Sequence, residues 1–353
     1  MTVSLWQRES RASLEVDVAI IGGGLCGLGA AIACTASGVR WAILEQHRTG
    51  SGASGRNAGY LIRGAAENYA RASRTLGRDR ARALWAHTES NIAILRGLGL
   101  ESLPSFERRP SVILAYHEDE ATELHESLDL LRSDGFDASM LEGGDDALWR
   151  HHPPRAALCN PGDAVVNPSE LVEMLAAHAG RAHIHEGQEV DEIVHDGDHL
   201  RVRSRGFDVR ARRVLVCTNA WAPLLVPELR GVVTPRRGQM IAVRAPGSRL
   251  DAAYYANWGS EYFRPGPDGL LLFGGCRLTD EAGEVGYEDT VTAPIQEALE
   301  AFATRVLGGL FEVVARWAGT MGFSPDGLPI TREVRPGVWF CGGFTGHGMS
   351  MAV

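Results

Sequence analysis

The spacing of hydrophobic positions changes several times along the chain. Val16-Asp17-Val18-Ala19-Ile20-Ile21 is an almost unbroken apolar run rich in β-branched residues, the pattern of a parallel strand buried on both faces. Three glycines follow. Leu25 to Ser37 is then small and apolar enough to pack on a sheet as a helix, with Gly38 as its C-terminal cap. Val39 to Leu44 predicts a second strand, ended by Glu45. Further on, Ala81 to Leu98 has a long helical pattern and Val112 to Tyr116 alternates like a strand. Pro168 to Ala179 puts Leu171, Val172, Leu175, Ala176 and Ala179 on one helical stripe. Ile184, Val190 and Ile193-Val194 mark short strands, and Val214 to Cys217 a buried one that ends at Thr218-Asn219-Ala220-Trp221. Met240 to Val243, Glu261 to Arg264 and Leu270 to Phe273 predict an antiparallel sheet, with strong turn chemistry at Gly266-Pro267-Asp268-Gly269. Val338 to Cys341 is a last strand before a glycine-rich turn.

Length and composition narrow the class. At 353 residues the chain is long enough for two domains, or one with large insertions. With 44% hydrophobic and 22% charged residues it reads as an ordinary globular protein, which excludes disordered, collagenous and disulfide-scaffold readings. A formal charge of -9 leaves no basic footprint for nucleic acid or anionic lipid. All 35 basic residues are arginine. The absence of lysine rules out a P-loop, a pyridoxal Schiff base and a lysine general base, because arginine stays protonated. The cysteines (Cys26, Cys34, Cys159, Cys217, Cys276, Cys341) are scattered without a C-x-x-C pair, a weak case for metal or redox motifs. Met1 to Leu14 shows no apolar signal region, and with the dispersed thiols this suggests a cytoplasmic protein. Val18 to Val39 is uncharged, but its glycines and the strand before them argue against a membrane span.

Chemistry first shows at Gly22-Gly23-Gly24-Leu25-Cys26-Gly27, a G-x-G-x-x-G between strand and helix. Gly22 makes the tight turn, Gly24 lets backbone approach a pyrophosphate, and Gly27 lets the helix pack on the strand. The helix N-terminus offers N–H groups to phosphate, and Glu45 suits ribose hydroxyls. This unit predicts a dinucleotide without separating FAD from NAD. A second segment, Ser51-Gly52-Ala53-Ser54-Gly55-Arg56-Asn57-Ala58-Gly59-Tyr60, is a loop of small residues and hydroxyls suited to lie against a cofactor. A third runs through Gly322-Phe323-Ser324-Pro325-Asp326-Gly327-Leu328-Pro329-Ile330 to Gly346-His347-Gly348-Met349.

With Asp163 in Gly162 to Pro168, and Arg237-Gly238-Gln239, these segments resemble the FAD-dependent oxidoreductases of the D-amino-acid oxidase, glycine oxidase and sarcosine oxidase type over most of the chain. The resemblance implies an α/β protein: a Rossmann-type FAD-binding domain from residues 14–60, 160–223 and 317–353, and an α+β substrate domain on an antiparallel sheet from 61–159 and 224–316. It implies non-covalent FAD held by Gly22, Gly24, Leu25, Cys26, Gly27, Glu45, Gln46, Ser51, Gly52, Ala53, Ser54, Arg56, Asn57, Ala58, Gly59, Val190, Thr218, Asn219, Ala220, Gly346, His347, Gly348 and Met349. A helix N-terminus at Gly346 to Gly348 would meet the flavin ring and favour negative charge there.

Candidate catalytic residues are His347, Tyr60, Arg63 and Tyr262. His347 either faces the flavin or only caps its helix, and Arg63 either faces substrate or is a surface charge. Tyr254, Tyr255, Trp258 and Tyr262 form an aromatic cluster in the region expected to line the pocket. No metal is expected: His183-x-His185 has strand spacing, which would put both rings on one face, but no third ligand is near. Glu118-Asp119-Glu120 and Arg201-x-Arg203-x-Arg205 read as solvated faces.

The departures from the resembled family are also informative. Ser350 and Leu271 stand about where sarcosine oxidases carry lysines, and Met321 about where glycine oxidase carries an arginine for the substrate carboxylate. Gly319 and Arg56 stand about where covalent flavin attachment occurs. Hence the substrate lacks a carboxylate, or another arginine (Arg63, Arg237 or Arg264) holds it, and oxygen is expected to be a poor acceptor. The resemblance also implies a helix of several turns beyond Met349, whereas this sequence ends at Val353, so a shortened chain is expected. The expected chemistry is oxidation of a small amine or amino acid by FAD, followed by imine hydrolysis, with oxygen or another acceptor taking the electrons. The alternatives are a hydroxy-acid or polyol-phosphate dehydrogenase on the same fold, or a flavin-binding protein without turnover.

Overall fold

The computed structural model describes residues 13–65 and 67–353; the segment 1–12, and with it most of the stretch read for a signal region, lies outside the described residues. The predicted βαβ unit is present as strand Ser13–Ile21, helix Leu25–Ala36 and strand Trp41–Leu44. It forms part of a parallel core of five strands in the order Ile184–His185, Trp41–Leu44, Ser13–Ile21, Asp208–Val216, Val338–Gly342. The strands Val190–Asp196 and His199–Ser204 extend the N-terminal half of Asp208–Val216 in antiparallel fashion. Ile330–Arg335 closes the far edge against Val338–Gly342. One face is covered by the helices Leu25–Ala36 and Pro168–Ala179 together with Met349 and Met351. Ala222, Val226 and Leu229 cover the other, against Val16, Ala19 and Ile21.

The second sheet runs Glu312–Phe323, Thr234–Arg244, Leu271–Gly275, Glu261–Pro265, Ala253–Ala256, Ser111–Ala115, Ala156–Asn160, Ser139–Met140. It is antiparallel as expected, except where Ala253–Ala256 pairs parallel with Ser111–Ala115. Helix Ala293–Leu307 packs Ile295, Leu299, Phe302 and Val306 on one face of this sheet. Helix Glu118–Ser133 packs Leu124, Leu128 and Leu131 elsewhere on it, over Ala115 and Leu158. A small sheet of Tyr60–Leu61, Ala164–Val165 and Glu107–Arg108 lies between the two large ones.

Several expectations need correction. The segment 51–60 is not wholly a loop: Ala53–Arg56 forms a helical turn, and the Asn57 side chain donates back to the carbonyls of Ala53 and Ser54. The domain boundary at 317 falls inside the strand Glu312–Phe323. That strand stays paired with Thr234–Arg244 as far as Phe323, so the second sheet keeps it. Glu118 and Asp119 are exposed but Glu120 is buried, because its carboxylate accepts the backbone N–H of Trp258 at 2.6 Å. Arg201, Arg203 and Arg205 are exposed as predicted. His183 closes a 3₁₀ turn and only His185 lies on a strand. The two rings therefore part, one meeting Trp41 and the other Phe207. No cluster able to hold a metal occurs among the described residues. No described helix is long and apolar enough to cross a membrane.

Candidate active site

The cofactor segments converge at the carboxyl ends of the parallel strands. The Gly22 backbone has φ +105°, a conformation that favours glycine, and its N–H donates to Leu44 O. A Cβ on Gly27 would lie 2.0 Å from Gly22 O, so the helix can sit this close to the strand only with glycine there. The first helical turn leaves backbone N–H groups free for a partner. Ser54 folds over that end: its hydroxyl accepts the Leu25 N–H at 3.0 Å and would stand 2.8 Å from a Cβ on Gly24. The Cys26 thiol points into the core, 3.4 Å from the Cys217 sulfur, so Cys26 has only its backbone to offer.

The Glu45 carboxylate accepts Gly23 N–H and His47 N–H, both at 2.8 Å, and keeps further lone pairs for hydroxyl donors. Gln46 is exposed beside it. Gln188 N–H donates to Glu45 O, which brings the chain leading to Val190 past the same end. Across the turn, the Asn219 side-chain Oδ1 accepts Gly343 N–H at 2.8 Å, tying Thr218-Asn219-Ala220 to the last glycine-rich turn. The Thr218 hydroxyl is buried without a partner among the described residues. This orphaned hydroxyl, the glycine cradle and the carboxylate fit an adenine dinucleotide.

These elements open into a cavity of about 200 Å³ between the two large sheets. Ala53, Arg56, Asn57 and Ala58 line one side and Gly346, His347, Met349 and Ser350 another. Tyr60, Tyr255, Tyr262, Met240, Met321 and Phe323 form an aromatic and thioether wall. Tyr60 meets Tyr255 at a tilt, with ring centroids 4.9 Å apart, and Tyr262 edge-on at 6.2 Å. Its hydroxyl is turned to Tyr254 O (3.3 Å), so Tyr60 contributes a ring rather than a proton donor to the cavity. Burial pushes the Tyr262 phenol up to about 12. The Tyr262 ring is accommodated because Gly274 lacks a side chain: a Cβ there would lie 2.2 Å from the ring. Tyr254 stacks on Phe263 in the core instead of lining the cavity.

His347 lines both this cavity and a smaller neighbouring one, and its ring lies over Tyr255. Burial holds its imidazole below the ordinary value, hence neutral at pH 7. Its Nδ1 is 3.2 Å from Thr345 O, which assigns the proton to Nδ1 and leaves the Nε2 lone pair buried and unpartnered among the described residues. A helical turn begins at Gly348, as expected, and spans Gly348–Met351.

The arginines proposed to hold a carboxylate are otherwise engaged. Arg63 is buried beside the smaller cavity, with Nη1 on Glu89 (2.9 Å) and Nη2 on Asn160 and Asp137 O. Arg237 is buried against Glu284 at 2.7 Å. Arg264 donates to Ala58 O and Pro265 O at 2.5 and 2.8 Å. None of the three lines the large cavity. Arg277 does, and sequence reading missed it. The available signal was its place directly after the strand that ends Phe273-Gly274-Gly275, opposite the aromatic cluster.

A family model for FAD dependent oxidoreductases, abbreviated DAO, matches residues 17–353. The chain is 26% identical to the probable oxidoreductase OrdL of Rhizobium meliloti (strain 1021), over 96% of this chain and 81% of that protein. It is 28% identical to glycine oxidase of Geobacillus kaustophilus (strain HTA426), over 95% and 89%. Among solved structures its fold is similar to that of L-proline dehydrogenase from P. horikoshii, with a TM-score of 0.78 at 18% identity, covering 97% of this chain and 91% of that one.

Proposed function

The chain belongs to the DAO family of FAD dependent oxidoreductases, and from that premise we propose that it oxidises an amine or amino acid at the carbon beside nitrogen, with hydride passing to FAD and the imine product hydrolysing in water. The observation that carries this reading is the largely apolar cavity where residues of the cofactor loop meet a neutral His347. A relative named glycine oxidase, aligned along 95% of the chain, supports it.

The roles of the chain's own residues follow from their chemistry. Ser54, Glu45 and the Gly22 to Gly27 turn bind the dinucleotide. Tyr60, Tyr255, Tyr262, Met240 and Met321 exclude water, which favours the neutral amine over its ammonium form. His347 Nε2 accepts an N–H of that neutral amine and orients it. Arg63, engaged with Glu89 and Asn160, acts at one remove as a positioning residue for the wall around His347. Because the chain has no lysine to promote reaction with oxygen, another acceptor takes the electrons faster. Stopped-flow reoxidation in air is expected to be slow, and rapid saturating peroxide formation would exclude that part of the reading.

The deciding experiment is the visible spectrum of the FAD-loaded protein, kept anaerobic, before and after addition of amines and amino acids. Bleaching of the flavin bands, faster as pH rises through the substrate's amine pKa, is expected. Bands that persist with every amine and bleach with a hydroxy acid would overturn the proposal.

A further inference from the structure

Beside the large cavity lies a smaller one of about 30 Å³, room for one or two water molecules. The two share Ile62, Tyr255, Trp258, Gly259 and His347. Two side chains that line the smaller cavity carry buried polar atoms without a partner among the described residues: Arg63 Nε and His347 Nε2. Their chemistry is complementary. Arg63 Nε–H donates, and His347 Nε2 accepts because the imidazole proton sits on Nδ1. A water between them accepts from the first and donates to the second, which is what a polar cavity of this size holds.

Ser111 and Asn160 line the same cavity. Asn160 Nδ2 donates to Ser111 Oγ at 3.3 Å, and Ser111 Oγ donates to Asp163 Oδ2 at 2.5 Å. The Ser111 oxygen keeps a second lone pair for a water hydrogen. Asp163 stands one step behind the cavity wall, with its other oxygen on the Arg63 backbone N–H at 3.0 Å. Among the charged groups near it, Arg63 favours the carboxylate and Glu89, which pairs with Arg63, disfavours it. Tyr255 and Cys159 are also near, and burial keeps both protonated. An amine reaches the cavity from water as ammonium, whereas its oxidation needs the neutral form. The apolar wall of the large cavity lowers the ammonium's pKa, and burial raises the Asp163 carboxyl to about 7, so the two sites for the proton approach each other in energy.

We propose that Asp163 is the terminal acceptor of the proton that the substrate's ammonium must lose, reached from His347 Nε2 through a water in the smaller cavity and the Ser111 hydroxyl. The inference rests on the amine-oxidation reading and adds the route by which the amine becomes neutral. The ammonium N–H bond breaks and its proton moves to His347 Nε2. The imidazolium passes a proton to the water, the water passes one to Ser111 Oγ, and the Ser111 proton moves to Asp163 Oδ2. One ammonium and one carboxylate become one neutral amine and one carboxyl, and no electrons move. His347 Nε2 is then free to accept an N–H of the neutral amine. Asn160 and Arg63 are positioning residues that hold the Ser111 oxygen and the water.

The test uses FAD-loaded protein and two readouts. The first is the rate of anaerobic flavin reduction against pH with glycine, N-methylglycine and ethylamine. Asp163 accepts a proton only when ionised, so the parent's rate should rise through about pH 7, below the rise due to free amine. Asp163→Asn and Ser111→Ala should each lose that lower rise and be about 100-fold slower than the parent at about pH 8. At about pH 10, where water takes the ammonium's proton, the deficit should shrink to about threefold. Variants that are equally slow at every pH would show a merely structural role and overturn the proposal. The second readout is infrared difference spectroscopy at about pH 8 on adding tert-butylamine or 2-aminoisobutyrate. Neither has a hydrogen on the carbon beside nitrogen, so neither is oxidised. A carboxyl band that appears in the parent and is missing in Asp163→Asn is expected. Its absence from the parent, when the flavin spectrum registers binding, would also overturn the proposal. If the band appears but no amine reduces the flavin, the oxidation reading fails and the proton route stands.

Discussion

Burial keeps the His347 imidazole uncharged. Nδ1–H donates to Thr345 O, and the lone pair on Nε2 is buried without a partner among the described residues. His347→Ala is expected to slow flavin reduction on the order of 10²-fold, at the low end for loss of a positioned acid–base group. His347→Gln, which retains an acceptor, should lose less, and stopped-flow spectroscopy separates the two. Asp163 titrates for a related reason. It is buried, and desolvation raises its carboxyl to about 7, although the Ser111 hydroxyl and Arg63 N–H oppose the rise. The folded state thus holds a proton that the unfolded chain, with a carboxyl near ~3.9, has released. The stability this supplies is complete below the unfolded value and is lost as pH rises through about 7. Between pH 5 and 8 the parent should lose roughly 2–5 °C of Tm relative to Asp163→Asn, which can still accept Arg63 N–H, would donate to the Ser111 oxygen instead of accepting from it, and does not titrate. Parallel slopes in a thermal-shift series would refute this.

At the scale of elements, the first βαβ unit depends on the absence of side chains. A methyl at Gly27 meets the Gly22 carbonyl at 2.0 Å, a backbone atom that cannot step aside. Gly27→Ala is therefore expected to cost about 1–3 kcal/mol and to release FAD, because it separates the helix from the strand whose turn binds phosphate. Gly38→Ala gives the contrast: φ is +66° with nothing within 4 Å, so only backbone strain of about 1–2 kcal/mol should appear, with FAD content unchanged. Flavin absorbance after gel filtration, alongside Tm, distinguishes the pair.

Across the whole molecule, the cavity exists because the two large sheets are tied together around it. Trp317 Nε1 donates to Arg56 O at 2.8 Å, joining the second sheet to the cofactor loop. Arg264 from that sheet reaches Ala58 O. The chain's last residues close the other side: Ser350 Oγ accepts Ile62 N–H at 3.0 Å, and Asn91 bridges Met349 O and Val353 N–H. Behind the cavity, Glu284 holds Arg237 and Gln239 on the strand Thr234–Arg244 in a buried network. Glu284→Gln leaves Arg237 buried without its counter-charge and should cost about 3–5 kcal/mol. Chemical denaturation measures that loss, and a change below about 1 kcal/mol would mean that the network does not hold the sheet.

The sequence by itself determined the local elements and the cofactor. Period and turn chemistry located the helix Pro168–Ala179 to the residue and the Pro267–Gly269 turn with Asp268 at φ +54°. The Gly22 to Gly27 and Gly52 to Gly59 segments pointed to FAD, because such turns have few other uses so close together. Tertiary structure decided what depends on residues far apart in the chain. Sequence singled out Arg63, Arg237 and Arg264 as candidates to hold a carboxylate. Only packing shows that Glu89, Glu284 and the Ala58 carbonyl occupy them while Arg277 stays unpaired. It likewise buried Glu120 among solvated neighbours, split His183 from His185, and kept the strand through Trp317 in the second sheet. Hydrophobic period reports how a segment meets its own immediate surroundings. Which charge meets which is a property of the closed fold.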